Sequence, residues 1–308
     1  MMLPWPLLLA LLKLTGRRRR FESVEGLRVA IARDRKTATA EPPASVHKRC
    51  AIGKRQVGGY DCYTLTPLSG AGSAQLLYLH GGAHVAEISP FHWRVLAELV
   101  ETTGCVAHVP IFPLAPEHTH REAYAMVNQI YGGLVAAHEP RQLVLMGDSA
   151  GGGFALALAQ GLAAQSLPQP RDIVLISPWL DLTMSSQGIA ALEANDPWLA
   201  RPGLAEAGRW WAGVDDPALP HLSPLNGPLQ GLGRLTVFIG SRDLLLADCR
   251  ALRARAEAQG VHVEMHEAAG MIHVWPLLPV KEAIAARTAI AQIVRGPEAI
   301  SSPSGGRV

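Results

Sequence analysis

Residues 143–153 read Leu143-Val144-Leu145-Met146-Gly147-Asp148-Ser149-Ala150-Gly151-Gly152-Gly153, and they are the strongest indication of the fold in the sequence. An Ala/Leu-rich segment follows up to Gln165, so the pattern predicts a buried strand, a tight turn and a helix. A G-x-S-x-G motif in this setting places the serine on a sharp turn with its Oγ exposed above the sheet. Ser149 is therefore the candidate nucleophile, although a glycine-rich turn that binds a phosphate would give a similar pattern.

Short apolar runs and longer helical patterns alternate on both sides of this stretch. The predicted strands are 76–79, 105–109, 143–146, 173–176, 235–239 and, more weakly, 261–266. The predicted helices are 91–103, 122–137, 150–165, 244–259 and 281–295. Continuously apolar strands between helices are typical of parallel strands that are buried on both faces. The fold class is therefore α/β, with a mostly parallel, doubly wound sheet.

Two regions lack strand patterns and are predicted to form a helical cap. No strand is predicted between Leu180 and Leu232, and a plain loop of that length is unusual in a compact domain. The first 45 residues also lack strand character. The expected organisation is a cap from residues 1–45 and 181–222, a catalytic α/β domain from 46–180 and 223–296, and a disordered tail at 297–308.

A second glycine motif follows the predicted strand 76–79, where the chain reads His80-Gly81-Gly82-Ala83. We call residues 80–83 the His-Gly-Gly loop. Glycines at a strand end expose backbone N–H groups, which can stabilise an oxyanion. The predicted donors are the amides of Gly81, Gly82 and Ala150, although an ordinary turn would also explain the two glycines.

A serine nucleophile needs a base, and the base needs an orienting acid. Asp243 lies just beyond the predicted strand 235–239, and His273 lies on the loop beyond the weaker strand 261–266. Both should emerge at the sheet edge that carries Ser149. Asp248 is the alternative acid, inside the following helix, and His266 is the alternative base, inside the strand.

Composition excludes several classes of protein. Apolar residues make up 48% and charged residues 18% of the 308 residues, which excludes a disordered chain. A net charge of +2 is too weak to indicate a nucleic-acid partner. The four cysteines lack C-x-x-C spacing and are expected to be free thiols. No group of histidines and carboxylates has metal-ligand spacing along the chain, so neither a metal nor a cofactor is expected.

The N-terminus carries an unusual concentration of charge. Residues 1–20 hold five of the 28 basic side chains and no acidic one, which leaves 23 basic against 26 acidic side chains in the remainder. The apolar run before Arg17 is too short to span a bilayer and lacks the pattern of a secretory signal. Two interpretations remain: a cap helix that covers an apolar cleft, or an interfacial membrane anchor. The expected location is cytoplasmic, with peripheral membrane contact through residues 1–20 as the alternative.

The motifs together resemble the hormone-sensitive-lipase group of α/β hydrolases, over roughly residues 20–295. The segments that carry the resemblance are His80-Gly81-Gly82, Leu114-Ala115-Pro116-Glu117-His118, Gly147-Asp148-Ser149-Ala150-Gly151-Gly152, Ser177-Pro178-Trp179-Leu180-Asp181-Leu182, Ser223-Pro224-Leu225 and the surroundings of Asp243 and His273. The resemblance implies an α/β-hydrolase fold with a cap, a Ser149–His273–Asp243 triad and an oxyanion hole at Gly81, Gly82 and Ala150. Substrate contacts are expected at Ala83, His84, Trp179 and Ile272.

The implied activity is hydrolysis of short-acyl or small hydrophobic carboxylic esters through an acyl-enzyme. Ala83 replaces the third glycine that the group often has, and Phe112-Pro113 replaces its usual Tyr-Arg. The second difference resembles a branch that acts on acetylated sterols, terpenoid lactones or similar esters. The alternatives are a non-catalytic ligand binder, an enzyme that cleaves amide bonds, and a membrane-associated lipase. A homodimer is left open.

Overall fold

The computed structural model describes residues 2–296, so the predicted disordered tail at 297–308 lies outside the described residues. One eight-stranded sheet forms the centre, with the strand order β1-β2-β4-β3-β5-β6-β7-β8. The strands are β1 Cys50–Val57, β2 Tyr60–Pro67, β3 Gln75–Leu79, β4 Val106–Pro110, β5 Leu143–Asp148, β6 Asp172–Ile176, β7 Arg234–Gly240 and β8 Val263–Ala268. Strands β3 to β8 pair in parallel, which confirms the predicted α/β class.

The first two strands form an antiparallel hairpin that the sequence pattern did not predict. A turn at Gly58 and Gly59, both with positive φ, joins β1 to β2, and β2 pairs antiparallel with β4. Only the two ends of β1 are buried. An edge strand with so much exposed surface lacks the continuous apolar run by which the inner strands were recognised.

Helices cover both faces of the sheet. They are α1 Trp5–Thr15, α2 Val24–Thr37, α3 Pro90–Thr103, α4 His120–Ala137, α5 Ala150–Ala164, α6 Ile189–Glu193, α7 Arg201–Ala212, α8 Leu246–Ala258 and α9 Ala283–Arg295. Alternate residues of each strand enter opposite apolar layers, as the period of two requires. Leu77 and Leu79 of β3 pack in the layer that contains α4 and α5, whereas Leu76 and Tyr78 pack in the layer that contains α3 and α9.

The N-terminal helices pack on the body of the protein and on the 181–222 insertion. Leu8 and Leu12 of α1 are buried against the layer that contains α3 and α9. Helix α2 contacts α7, and the amide of Gly203 donates to the carbonyl of Phe21 at 2.7 Å. Within residues 2–296, no helix is both long and apolar enough to cross a membrane.

A substitution at Leu27 tests how much the packing of α2 on the rest of the protein contributes to stability. Its side chain is fully buried, whereas Val29 on the same helix is 60% exposed. We expect Leu27→Ala to lower the free energy of unfolding by about 2–5 kcal/mol, because truncation leaves a cavity. Val29→Ala, the matched control, should change it by less than about 0.5 kcal/mol. Urea denaturation measures both, and equal losses would contradict this packing.

Candidate active site

Ser149 lies on the turn between β5 and α5, with φ 51° and ψ −123°. Its amide donates to the carbonyl of Ile176 at 2.8 Å, which fixes the turn against the end of β6. Gly147 permits this turn, because a Cβ at that position would collide with the carbonyl of Gly151. The side chain therefore projects beyond the carboxyl end of the sheet, as the G-x-S-x-G pattern indicates.

The three predicted triad side chains lie in one hydrogen-bonded row. Ser149 Oγ is 2.9 Å from His273 Nε2, and His273 Nδ1 is 2.9 Å from Asp243 Oδ2. The other oxygen of Asp243 accepts the amide N–H of Leu245 at 3.0 Å. Asp243 has no exposed surface and His273 is 4% exposed, so the row is shielded from water.

Neighbouring strand ends place the predicted acid and the predicted base. Asp243 follows β7 by three residues, and His273 lies on the loop after β8. The amide of Val274 donates to Ser177 Oγ at 2.9 Å, which ties the His273 loop to the end of β6. Sequence reasoning did not identify Ser177 as a support of this loop.

The alternative acid and base occupy other positions. Asp248 lies in α8, where burial raises the pKa of its carboxyl to about 7. His266 stacks on Phe238 and bonds to Glu264 on β8.

The charges around His273 favour its protonated form. Burial alone would lower the pKa of this imidazole, but the charge and hydrogen bond of Asp243 act in the opposite direction. The charges of Asp196 and Asp148 add to that effect, and the net pKa lies above the ordinary value of 6.5. An imidazole in this setting is suited to accept a proton during a reaction.

Asp196 is a buried carboxylate of the insertion that sequence reasoning missed. Its Oδ1 accepts the amides of Trp198 and Leu199, and its Oδ2 accepts the amide of Leu244, the residue after Asp243. Burial and the charge of Asp243 raise the pKa of Asp196 to about 6. Asp196 therefore joins the 181–222 insertion to the loop that carries Asp243. No local sequence signal marks it, because its partner amides lie both beside it and 48 residues away.

The His-Gly-Gly loop differs in one respect from the expected oxyanion hole. The amide of Gly81 donates to Asp148 Oδ1 at 2.9 Å, so this N–H group is already engaged. Within the described chain, the amides of Gly82, Ala83 and Ala150 have no hydrogen-bond acceptor. The free donors near Ser149 are therefore on the second and third residues after His80, together with the first residue of α5.

Asp148 holds the His-Gly-Gly loop in place. In addition to the Gly81 amide, its Oδ1 accepts the Tyr78 hydroxyl at 2.6 Å, and its Oδ2 is 3.2 Å from His92 Nε2. Burial alone would raise the pKa of Asp148, but the charge and hydrogen bond of His92, followed by the other bonds, lower it. Asp148, the residue before the candidate nucleophile Ser149, therefore favours its ionised form and anchors this loop.

The four residues with expected substrate contacts are all buried, at 4% exposure or less. His84 stacks on Trp211 of α7, with ring centroids 4.0 Å apart. The Trp179 indole donates to the carbonyl of Asp181, inside its own loop. Ile272 lies in the apolar layer with α9, and Ala83 in the layer with α4. Their contact with a substrate stays a prediction.

The fold also assembles a group that the sequence spacing did not indicate. Donor atoms of His120, Asp215 and His221 all lie within 4.8 Å of one another. His120 begins α4, whereas the other two follow α7. Since 95 residues separate His120 from Asp215, a search for metal-ligand spacing along the chain could not find this group.

Comparison with known proteins shows the family to which this chain belongs. A family model described as an alpha/beta hydrolase fold matches residues 76–277. An esterase of Acinetobacter venetianus is 35% identical over 206 residues, which cover 65% of this chain and 67% of that protein. An acetyl-hydrolase of Streptomyces hygroscopicus is 34% identical over 210 residues, covering 66% and 70%. A crystal structure of an esterase from the bacterial hormone-sensitive lipase family has a TM-score of 0.80 at 25% identity, covering 96% of this chain and 99% of that one.

The chain therefore belongs to the α/β-hydrolase family, in its hormone-sensitive-lipase-like group. It is a hydrolase of the carboxylesterase and lipase type, EC 3.1.1. The predicted fold, family and enzyme class are confirmed.

The coupling between Asp196 and His273 can be measured. We expect Asp196→Asn to shift the acidic limb of the kcat/KM pH profile to lower pH, because His273 loses a negative charge that raises its pKa. Asp216→Asn, at an exposed carboxylate after α7, is the control and should leave the profile in place. Superimposable profiles of Asp196→Asn and wild type would contradict the coupling.

Proposed function

We propose that the enzyme hydrolyses short-acyl or small hydrophobic carboxylic esters with Ser149 as nucleophile, His273 as general base and Asp243 as orienting acid. The observation that carries this proposal is the pair of 2.9 Å contacts that join the three side chains. With Nδ1 protonated and bonded to Asp243, His273 Nε2 is free to take the Ser149 proton. Ser149 Oγ then attacks the ester carbonyl carbon.

The oxyanion donors in this proposal are the amides of Gly82, Ala83 and Ala150. Gly81 is omitted because Asp148 already accepts its N–H. Replacing the usual third glycine with Ala83 leaves a backbone N–H available, so this departure from the family pattern retains a donor. Loss of one such donor typically costs about 10²–10³ in rate.

The second half of the reaction uses the same side chains in reverse. The protonated His273 gives its Nε2 proton to the leaving alcohol as the tetrahedral intermediate collapses, which leaves Ser149 acylated. His273 then takes a proton from water, whose oxygen attacks the acyl carbon. As this second intermediate collapses, His273 returns the proton to Ser149 Oγ, which releases the carboxylic acid and regenerates the serine.

The surroundings of the His-Gly-Gly loop favour a small, uncharged acyl group. Five rings pack together here: His84, Phe112, Phe154, Trp179 and Trp211. Burial lowers the pKa of His84 to about 3, so this ring is neutral at pH 7. These large side chains fill the space near the loop and present no charge to a substrate. An acetyl ester of a larger hydrophobic alcohol fits this chemistry.

A further part of the proposal is a shared cap. It is formed by residues 1–45 together with 181–222, and it covers the catalytic domain of residues 46–180 and 223–296. Arg18 Nη1 lies 2.8, 2.5 and 2.8 Å from the carbonyl oxygens of Glu193, Asp196 and Leu199. The Arg17 guanidinium lies 5.1 Å from the Trp198 ring, which in turn contacts His273 edge-on. The N-terminal segment and the insertion therefore act as one unit beside the triad.

The triad assignment predicts that Ser149→Ala and His273→Ala lose p-nitrophenyl acetate hydrolysis by several orders of magnitude, since each removes a reacting group. His266→Ala is the matched control and should retain wild-type kcat/KM. A fluorophosphonate should label the wild type but not Ser149→Ala. Retained hydrolysis by Ser149→Ala would exclude the proposed nucleophile.

The proposed short-acyl preference predicts a trend among p-nitrophenyl esters. We expect kcat/KM to fall from acetate to long acyl chains, and a rise would exclude the short-acyl preference.

We also propose that the outer face of α1 contacts an anionic membrane surface. Leu7, Leu11 and Leu14 are exposed at helical spacing, whereas Leu8 and Leu12 on the other side are buried. A basic turn, Arg17–Arg20, follows at once. Exposed apolar side chains beside basic ones are typical of interfacial helices.

Flotation with vesicles tests this membrane contact. We expect the wild type to float with anionic vesicles, and a variant with Leu7→Ser, Leu11→Ser and Leu14→Ser to stay in the dense fraction, because it loses the apolar face. Val214→Ser, at a residue that is 94% exposed elsewhere, is the control and should float like the wild type. Equal flotation of the wild type and the triple variant would exclude α1 as the contact.

A further inference from the structure

The group His120, Asp215 and His221 lies apart from the triad and is not used in the proposed reaction. His120 Nε2 is 2.8 Å from Asp215 Oδ2, and the rings of His120 and His221 are 5.1 Å apart. His120 is 5% exposed, Asp215 is half-buried and His221 is exposed. Two imidazoles and a carboxylate on one small patch are the side chains that bind zinc.

We propose that His120, Asp215 and His221 form a binding site for a divalent transition-metal ion, Zn²⁺ in the first instance, that ties the segment after α7 to the start of α4. Ligands of a tetrahedral zinc ion lie about 3.5 Å apart, given zinc–ligand bonds of about 2.0–2.2 Å. The three donor atoms lie within 4.8 Å of one another, so a small movement suffices to enclose an ion. The exposed His221 ring can make that movement.

Neighbouring contacts hold the backbone on both sides of the site. Thr119 and Glu122 form a capping box at the start of α4, which fixes the position of His120. The Tyr124 hydroxyl, one turn further along α4, donates to the carbonyl of His221 at 2.7 Å. The backbone that carries the site is therefore held in place before an ion binds.

Arg121 competes with an ion for the carboxylate. Its Nη2 lies 2.8 and 2.9 Å from the two oxygens of Asp215. The Arg121 side chain is 62% exposed, so it can turn into solvent when an ion binds. An ion bound by both His120 Nε2 and Asp215 Oδ2 would replace the proton that these atoms share, and that proton would pass to solvent. Oxygen-preferring ions such as Mg²⁺ match two imidazoles poorly.

Titration calorimetry of the untagged full chain with ZnCl₂ tests the site. We expect one equivalent of Zn²⁺ to bind the wild type, and His221→Ala to weaken binding by at least about tenfold, because it removes a ligand. His262→Ala, at an exposed histidine before β8, is the control and should bind like the wild type. Arg121→Ala should bind more tightly than the wild type, because the competing cation is gone. MgCl₂ should give no binding at this site.

The outcomes distinguish Zn²⁺ binding at these three residues from nonspecific binding elsewhere on the surface. Because His221 is exposed, its truncation should leave the melting temperature without metal unchanged, which excludes misfolding as the cause of lost binding. With Zn²⁺, the melting temperature of the wild type should rise and that of His221→Ala should not. Equal Zn²⁺ affinity of the two proteins, or no binding by the wild type, would overturn the proposal. An anomalous diffraction peak at any other histidine would overturn it as well.

Discussion

The approach of several backbone segments at Ser149 is the constraint on which the rest of the site depends. The Ser149 amide donates to Ile176 at the end of β6, and its carbonyl accepts the amides of Gly153 and Trp179. A Cβ at Gly151 would overlap the carbonyl of Leu79, so a glycine is required where α5 passes the end of β3. This contact sets the distance between the nucleophile and the His-Gly-Gly loop. Stabilisation of an oxyanion depends on that distance more than on the identity of any single side chain.

The inner part of the fold was predictable from the sequence because most inner strands are continuous apolar runs. Strands β3, β5, β6 and β7 are almost entirely buried, and a strand buried on both faces allows few polar residues. The position of Asp243 was predictable for the same reason, because it lies just past β7. His273 follows β8, a partly exposed edge strand whose apolar pattern is weaker. The hairpin of β1 and β2 was missed because β1 lies at the edge, where exposed positions dilute the apolar pattern.

The features of the site that could not be predicted from the sequence depend on contacts between distant segments. Asp196 binds the amide of Leu244 across 48 residues, and no local motif marks a carboxylate as the partner of an amide so far away. The engagement of the Gly81 amide was also hidden, because Asp148, its acceptor, was seen only as the variable residue of G-x-S-x-G. A motif gives the residues that lie together in sequence. The hydrogen bonds that decide which amides remain free form only when the sheet assembles.

The basic turn Arg17–Arg20 shows that such long-range hydrogen bonds also change the interpretation of the N-terminal positive charge. From composition alone, four consecutive arginines indicate an external anionic partner. In the structure, however, Arg18 donates to carbonyl groups of the insertion, and Arg20 pairs with Asp34 at 2.5 Å. Arg18 holds the same loop whose Asp196 carboxylate supports the residue after Asp243. Hydrogen bonds therefore link Arg18 through the Asp196 loop to Leu244, the residue after Asp243. Part of the charge that raises the isoelectric point thus has an internal structural role, and the surface charge offered to a membrane is smaller than the sequence implies.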